Sequence, residues 1–133
     1  MGYNLHITRK ENWVDKDASS DITLQEWLDY VKKDPEMRLD NFGEARITGG
    51  EKIRVEEEGI CVWTKYSRNG IGGNYAWFWL SRGNIDVKNP DGEMRNKMID
   101  IAQRLGAKVQ GDDGEPYNFK EAVKNKKPWW KVW

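Results

Sequence analysis

Residues 75–105 read YAWFWLSRGNIDVKNPDGEMRNKMIDIAQRL, and this stretch carries the strongest structural signals in the chain. Its first six residues are apolar on both faces of an extended chain, which is typical of a strand in the middle of a sheet. A tight turn at 82–84 leads to a second strand at 85–88, and so short a connection joins antiparallel neighbours. The stretch therefore predicts two paired strands followed by a helix.

The helix predicted at 90–105 has a recognisable start, apolar face and end. Asn89 suits the N-cap and Pro90 the first turn, where its missing N–H leaves no hydrogen bond unmade. Gly106 follows the last turn, where a left-handed residue commonly ends a helix. The apolar residues recur at helical spacing and are Met94, Met98, Ile101, Ala102 and Leu105. This stripe is predicted to pack on the sheet.

A second helix is predicted at 23–33. Thr23 and Glu26 form the capping-box pattern, in which each side chain accepts a hydrogen bond from the other residue's backbone N–H. Pro35 prevents further extension, because proline cannot continue a helical hydrogen-bond ladder. The apolar face of this helix consists of Leu24, Trp27, Leu28 and Val31.

Short strands account for most of the remaining chain. Alternation predicts a strand at 3–8, and Gly49-Gly50 predicts a hairpin turn whose second arm points Ile53 and Val55 inward. A further strand is expected at 60–66. The fold class predicted is α+β: a mostly antiparallel sheet of about five to seven short strands, with the two main helices packed on it.

The composition sets the broad class of the protein. The chain has 133 residues, which suits one domain over 1–133 with a Trp-rich basic tail at 126–133. No apolar run reaches the roughly 20 residues needed to cross a bilayer, and the N-terminus lacks the apolar core of a secretory signal. We therefore expect a soluble, cytoplasmic protein that does not bind membranes.

The sequence favours no enzymatic activity. It contains one histidine, His6, and one cysteine, Cys61, and both fall within predicted strands, where a thiol is not activated. One of each is too few for a zinc site, and no phosphate-binding glycine motif is present, so we predict no metal and no cofactor. Asp112, Asp113 and Glu115 form a candidate polar site, although their spacing does not match a calcium-binding loop.

The aromatic residues are the most distinctive feature of the chain. We predict a binding surface composed of His6, Trp63, Tyr75, Trp77 and Trp79. Tryptophan and tyrosine are enriched in the residues that contribute most to binding energy. Two hypotheses compete: the tail residues Trp129, Trp130 and Trp133 fold back over these strands, or the strands line a groove that accepts a partner.

Several segments resemble a family of small, uncharacterised bacterial proteins. The similar segments are Gly2–Arg9, Val87–Asp91 and Ala107–Glu115, supported by Glu26-Trp27 and Asp34-Pro35-Glu36. The resemblance spans residues 2–117 and leaves the tail as an addition. It implies a bacterial cytosolic setting and, because the family has no established activity, no reaction.

The leading functional hypothesis is a small protein-binding module, with immunity proteins of bacterial toxin systems as the nearest class. It rests on the small size, the absence of catalytic sets and an uneven charge distribution, which is 9 − 14 = −5 over residues 1–60 and 13 − 8 = +5 over 61–133. A net charge of zero disfavours nucleic acid as the partner. The alternative is an enzyme or small-ligand binder that uses His6 and the Asp112/Asp113/Glu115 turn beside an aromatic pocket. The oligomeric state stays open.

Overall fold

The computed structural model describes residues 3–46, 49, 51–71 and 75–117. It confirms the predicted α+β class, with antiparallel strands and two helices. The strands are β1 (Asn4–Thr8), β2 (Met37–Leu39), β3 (Phe42–Arg46), β4 (Lys52–Glu56), β5 (Cys61–Trp63), β6 (Trp77–Ser81), β7 (Asn84–Lys88) and β8 (Lys108–Gly111). The helices are α1 (Leu24–Lys33) and α2 (Gly92–Arg104). The tail at 126–133 lies outside the described residues, so both hypotheses about its tryptophans remain predictions.

Six strands form one antiparallel sheet in the order β2-β5-β6-β7-β1-β8, while β3 and β4 pair with each other as a separate hairpin. Helix α2 packs against β1 and β8, and α1 packs against β2. The fully buried side chains include Ile7, Trp27, Phe78, Ile85, Met98 and Ile101. Because side chains alternate along a strand, His6 lies on the face opposite the buried Leu5 and Ile7. The sheet therefore has a helix face, which carries Leu5 and Ile7, and an opposite face, which carries His6.

The helix caps differ in how closely they follow the pattern. Thr23 and Glu26 form the predicted capping box of α1, with N···O distances of 3.1 and 3.2 Å. Helix α2 is instead capped by Asp91, whose Oδ1 accepts a hydrogen bond from the Met94 backbone N–H. The predicted cap, Asn89, has a left-handed backbone and accepts a hydrogen bond from the Tyr3 N–H. Within the described ranges, neither helix is long and apolar enough to cross a bilayer.

The strand predicted at 60–66 is shorter than expected. Its pairing stops after Trp63, because the backbone N–H and the hydroxyl of Thr64 both donate to the Glu36 carbonyl instead. The hairpin also differs from expectation, since Ile53 and Val55 were predicted to point inward but are 44% and 49% exposed. Among the strands that the structure describes, β4 pairs with β3 alone and lies outside the main sheet, so alternation along it does not bring either side chain into the core.

Candidate functional site

His6 lies in the middle of β1 with both ring nitrogens bonded to carboxylates. Its Nδ1 is 2.7 Å from Asp86 Oδ1 on β7, and its Nε2 is 2.8 Å from Asp112 Oδ1 just after β8. The residue is 2% exposed. A histidine ring donates from both nitrogens only when it is protonated, so this geometry fits an imidazolium ion between two carboxylates.

The electrostatics of the histidine cluster (His6, Trp13, Asp86 and Asp112) agree with this protonation state. Burial disfavours the charged ring, but the hydrogen bonds to Asp86 and Asp112 outweigh it, so the pKa of His6 is raised. Burial also opposes the charge on Asp112, yet the Asn4 N–H and His6 hold the pKa of that carboxyl below its usual value. The cluster therefore favours a protonated His6 and an ionised Asp112.

Trp13 covers the imidazole from above. The two rings are stacked with centroids 3.7 Å apart and planes 10° apart. Three hydrogen bonds hold Trp13 in place: its N–H donates to Gln110, its carbonyl accepts from Asn84, and its Nε1–H donates to the Asp112 carbonyl. The segment after β1 is thereby fixed on the opposite face of the sheet. With both nitrogens bonded to carboxylates and one ring face covered, His6 has no lone pair to accept a proton from a substrate.

The three acids of the predicted polar site do not converge. Asp112 bonds to His6, whereas Glu115 bonds to the hydroxyls of Tyr3 and Tyr117, and Asp113 is exposed. Over the ranges that the structure describes, no group of three His, Cys, Asp or Glu side chains is placed to hold a metal ion. The turn therefore anchors two strand ends rather than forming one acidic centre.

Cys61 is buried on the helix face of the sheet, opposite His6. Burial raises the pKa of its thiol to about 12. A thiol with so high a pKa is almost entirely protonated at neutral pH and is a poor nucleophile. The two residues therefore do not form a Cys–His dyad.

The structure separates Trp63 from the other aromatic residues of the predicted surface. Trp63 lies on the helix face, is 7% exposed and donates from Nε1 to Glu36 at 3.0 Å. Glu36 also accepts from Lys97 of α2, and Lys97 bonds to Asp34 at 2.9 Å. These ion pairs connect the end of α1 to α2, and their residues line an open cleft of about 630 Å³ between the helices. The groups are bonded to one another, which indicates a role in helix packing.

Trp77 and Trp79 lie on the opposite face, under the β3–β4 hairpin. Phe42 packs at an angle against Trp77 with centroids 5.7 Å apart, and Tyr75 does so at 5.5 Å. The guanidinium of Arg54 lies 3.9 Å above the Phe42 ring. Between hairpin and sheet is an apolar groove of about 150 Å³, which we call the aromatic groove. Its walls are Gly43, Val55, Ile60, Trp77 and Trp79, together with Glu44 and Glu57.

The strand register places the histidine cluster beside the aromatic groove. His6 is opposite Asp86 on β7, and Asp86 is opposite Trp79 on β6. On the other side His6 is opposite Gln110 of β8. One row of side chains thus crosses four strands, from the amide that holds Trp13 to a wall of the groove. Sequence reasoning missed Asp86 and Trp13, because alternation assigns a residue to a face but does not identify the neighbouring strand.

Comparison with known proteins gives no further assignment. No protein-family model, no curated protein and no solved structure matches the chain. Function is therefore inferred from the two features on the opposite face, the histidine cluster and the aromatic groove.

Proposed function

We propose that this protein is a protein-binding module that uses the aromatic groove and the adjoining hairpin, and that it acts as an immunity-type protein neutralising a bacterial toxin. The observation that carries the proposal is the apolar surface around the groove. Ile53 and Val55 on the hairpin and Tyr75 beside it are exposed, although all three are large apolar or aromatic side chains. Contiguous apolar surface on a folded protein commonly marks an interaction site.

The charge near the groove supports a basic partner. Glu44 and Glu57 line the groove, and Glu56 and Glu58 adjoin it along the chain. Arg54 pairs with Glu44 at 3.9 Å and with Glu56 at 2.9 Å, so the acidic character comes mainly from the exposed Glu57 and Glu58. Residues 1–60 as a whole carry 9 − 14 = −5. Complementary charge around an apolar patch speeds association and suppresses binding of the wrong proteins. A toxin with a basic surface would meet these requirements.

The histidine cluster favours a structural role for His6 over the alternative, an enzyme or small-ligand binder. A general base must present a free lone pair to its substrate. Both nitrogens of His6 are bonded to carboxylates, and Trp13 covers the ring. In this proposal the cluster holds the face together, and the groove beside it does the binding.

The immunity class is proposed from size and setting. The resemblance to small bacterial proteins implies a cytosolic setting, which is where an immunity protein would meet a toxin made in the same cell. The chain has the 133 residues of a single small domain, and no known catalytic motif accompanies its apolar surface. A binding protein needs nothing more than that surface.

The test begins with the genes beside this one in bacterial genomes. Each neighbouring product is expressed alone, and one of them is expected to arrest growth unless this protein is co-expressed. The variant Val55→Glu should lose the protection, because it places a charge in the apolar surface. The matched control is Val14→Glu, since Val14 is 56% exposed, lies in the segment after β1 and does not line the groove. Growth arrest by no neighbour, or equal protection by both variants, would contradict the proposal.

A further inference from the structure

The aromatic groove has the dimensions of a pocket for one side chain. Its volume of about 150 Å³ matches that of a cavity able to hold a benzene ring. Glycine at 43 makes this space: a Cβ there would lie 3.6 Å from Ile60 Cγ2 and 3.7 Å from Trp77 Cδ2, in ordinary contact with both walls. A larger side chain at 43 would therefore occupy the groove itself.

Among the described residues that line the groove, the two charged ones are both acidic. Glu57 is exposed, and Glu44 lies 3.9 Å from Arg54 across the hairpin. An apolar group entering between these carboxylates binds better when a cation accompanies it. A nucleic-acid strand would instead bring phosphates next to Glu44 and Glu57, and these negative charges would repel one another.

We infer that the aromatic groove takes one aromatic or large aliphatic side chain of a protein partner, flanked in that partner by lysine or arginine. This inference rests on the proposed function and specifies which chemical group the same surface recognises. A buried anchor side chain in a pocket, surrounded by charged contacts at the rim, is the common arrangement of binding energy in protein interfaces.

The test uses three peptides and the full chain, observed through the indole N–H signals of Trp77 and Trp79 in NMR spectra. The peptides are acetyl-Gly-Lys-Phe-Lys-Gly-amide and its versions with Glu for Lys or with Ala for Phe. The Lys-Phe-Lys peptide is expected to shift both signals and to bind at least about fivefold tighter than the Glu-Phe-Glu peptide, because each of the two Lys-to-Glu changes replaces an attraction near the surface with a repulsion. The alanine peptide should leave the signals unchanged.

Two variants make the result specific. Gly43→Leu should abolish the shifts by filling the groove. Glu57→Lys leaves one acid, Glu44, and one base in the wall and should remove the preference for Lys-Phe-Lys over Glu-Phe-Glu. This readout survives even where the first variant folds poorly. Asp113→Lys makes the same charge change at an exposed position after β8, away from the hairpin, and should leave the preference as it is.

Several outcomes would overturn the inference. If the shifts appear only after Trp129, Trp130 and Trp133 are replaced by alanine, the tail is the occupant of the groove. If the shifts depend on protein concentration alone, the occupant is a second copy of the chain. Shifts caused by single-stranded oligonucleotides in place of peptides would assign the groove to nucleic acid. Unmoved signals would also reject it, while protection from a toxin that is lost in Val55→Glu would still support the proposed function.

Discussion

The imidazole of His6 lies 3.7 Å beneath the indole of Trp13, with the two rings almost parallel. This contact joins the segment after β1 to the middle of the sheet, and two carboxylates hold the ring from either side. A cation stacked on an indole gains from the negative face of the aromatic ring, so protonation and stacking strengthen each other.

The first prediction concerns pH. The pKa of His6 is raised in the folded protein, so its contribution to stability is full below the ordinary histidine value of about 6.5 and is lost as the pH rises through the folded pKa. Replacing His6 with glutamine should lower the free energy of unfolding by about 2–3 kcal/mol at pH values below the ordinary histidine pKa. Urea unfolding of both proteins over a pH series measures the difference, which should narrow as the pH rises. A difference independent of pH would refute the imidazolium assignment.

Asp112 should produce the opposite dependence at low pH. Its pKa is lowered in the folded state, so its contribution is present above the ordinary aspartate value and is lost as the pH falls through the folded pKa. In Asp112→Asn, stability should therefore fall less steeply on acidification than in the parent protein. Parallel acid unfolding curves followed by tryptophan fluorescence would argue against this role.

Removal of the covering indole should be costly for a residue outside the core. We expect Trp13→Ala to lower the free energy of unfolding by about 2 kcal/mol, from lost stacking and partial burial. Trp13→Phe should recover part of this loss, because a smaller ring still covers His6. Chemical denaturation of the three proteins provides the comparison, and identical midpoints would show that the stack adds nothing to stability.

Trp27 of α1 and Trp77 of β6 should respond differently to truncation. Trp27 is fully buried and donates from Nε1 to the Gly59 carbonyl, so Trp27→Ala should cost about 3–5 kcal/mol. Trp77 is only partly buried, and Trp77→Ala should cost about 1–2 kcal/mol while abolishing peptide binding in the groove. Thermal melting of both variants measures these losses of stability. Equal losses in the two variants would place Trp77 in the core.

The buried lysine between the helices offers a separate test of packing. Lys97→Met leaves Asp34 buried without its cation and should lower the free energy of unfolding by about 3–5 kcal/mol. The exposed Lys33, which lines the same cleft, provides the control, and Lys33→Met should change stability by less than about 0.5 kcal/mol. Similar effects of the two substitutions would show that the ion pair does not stabilise the packing of the helices.

Local signals in the sequence predicted where helices and strands form better than they predicted which residues contact one another in space. The capping box at Thr23 and Glu26 depends on four consecutive residues and was confirmed. The start of α2 was wrong by two residues, because Asn89 bonds to Tyr3, which is 86 positions away. A contact over that distance leaves no periodic trace in the chain.

The candidate site was predictable only as a set of faces. The predicted binding surface included His6 and Trp77, and the strand register places both on the face opposite the helices. Alternation could not show that Asp86 would lie beside His6, because that requires the register of β1 against β7. The predicted binding surface also grouped Trp63 with Trp77, although Val62 is the residue opposite Trp77 and Trp63 therefore faces the helices.

The row of paired residues that ends at Trp79 has a consequence for the thermodynamics of recognition. Asp86 is fixed by its ion pair with His6, and Trp79 stands directly opposite it on the next strand. A pocket wall supported in this way is preorganised, so the proposed binding of a partner side chain would cost less conformational entropy in this wall. Heat released on binding should therefore be opposed by only a small entropic penalty from this side of the interface.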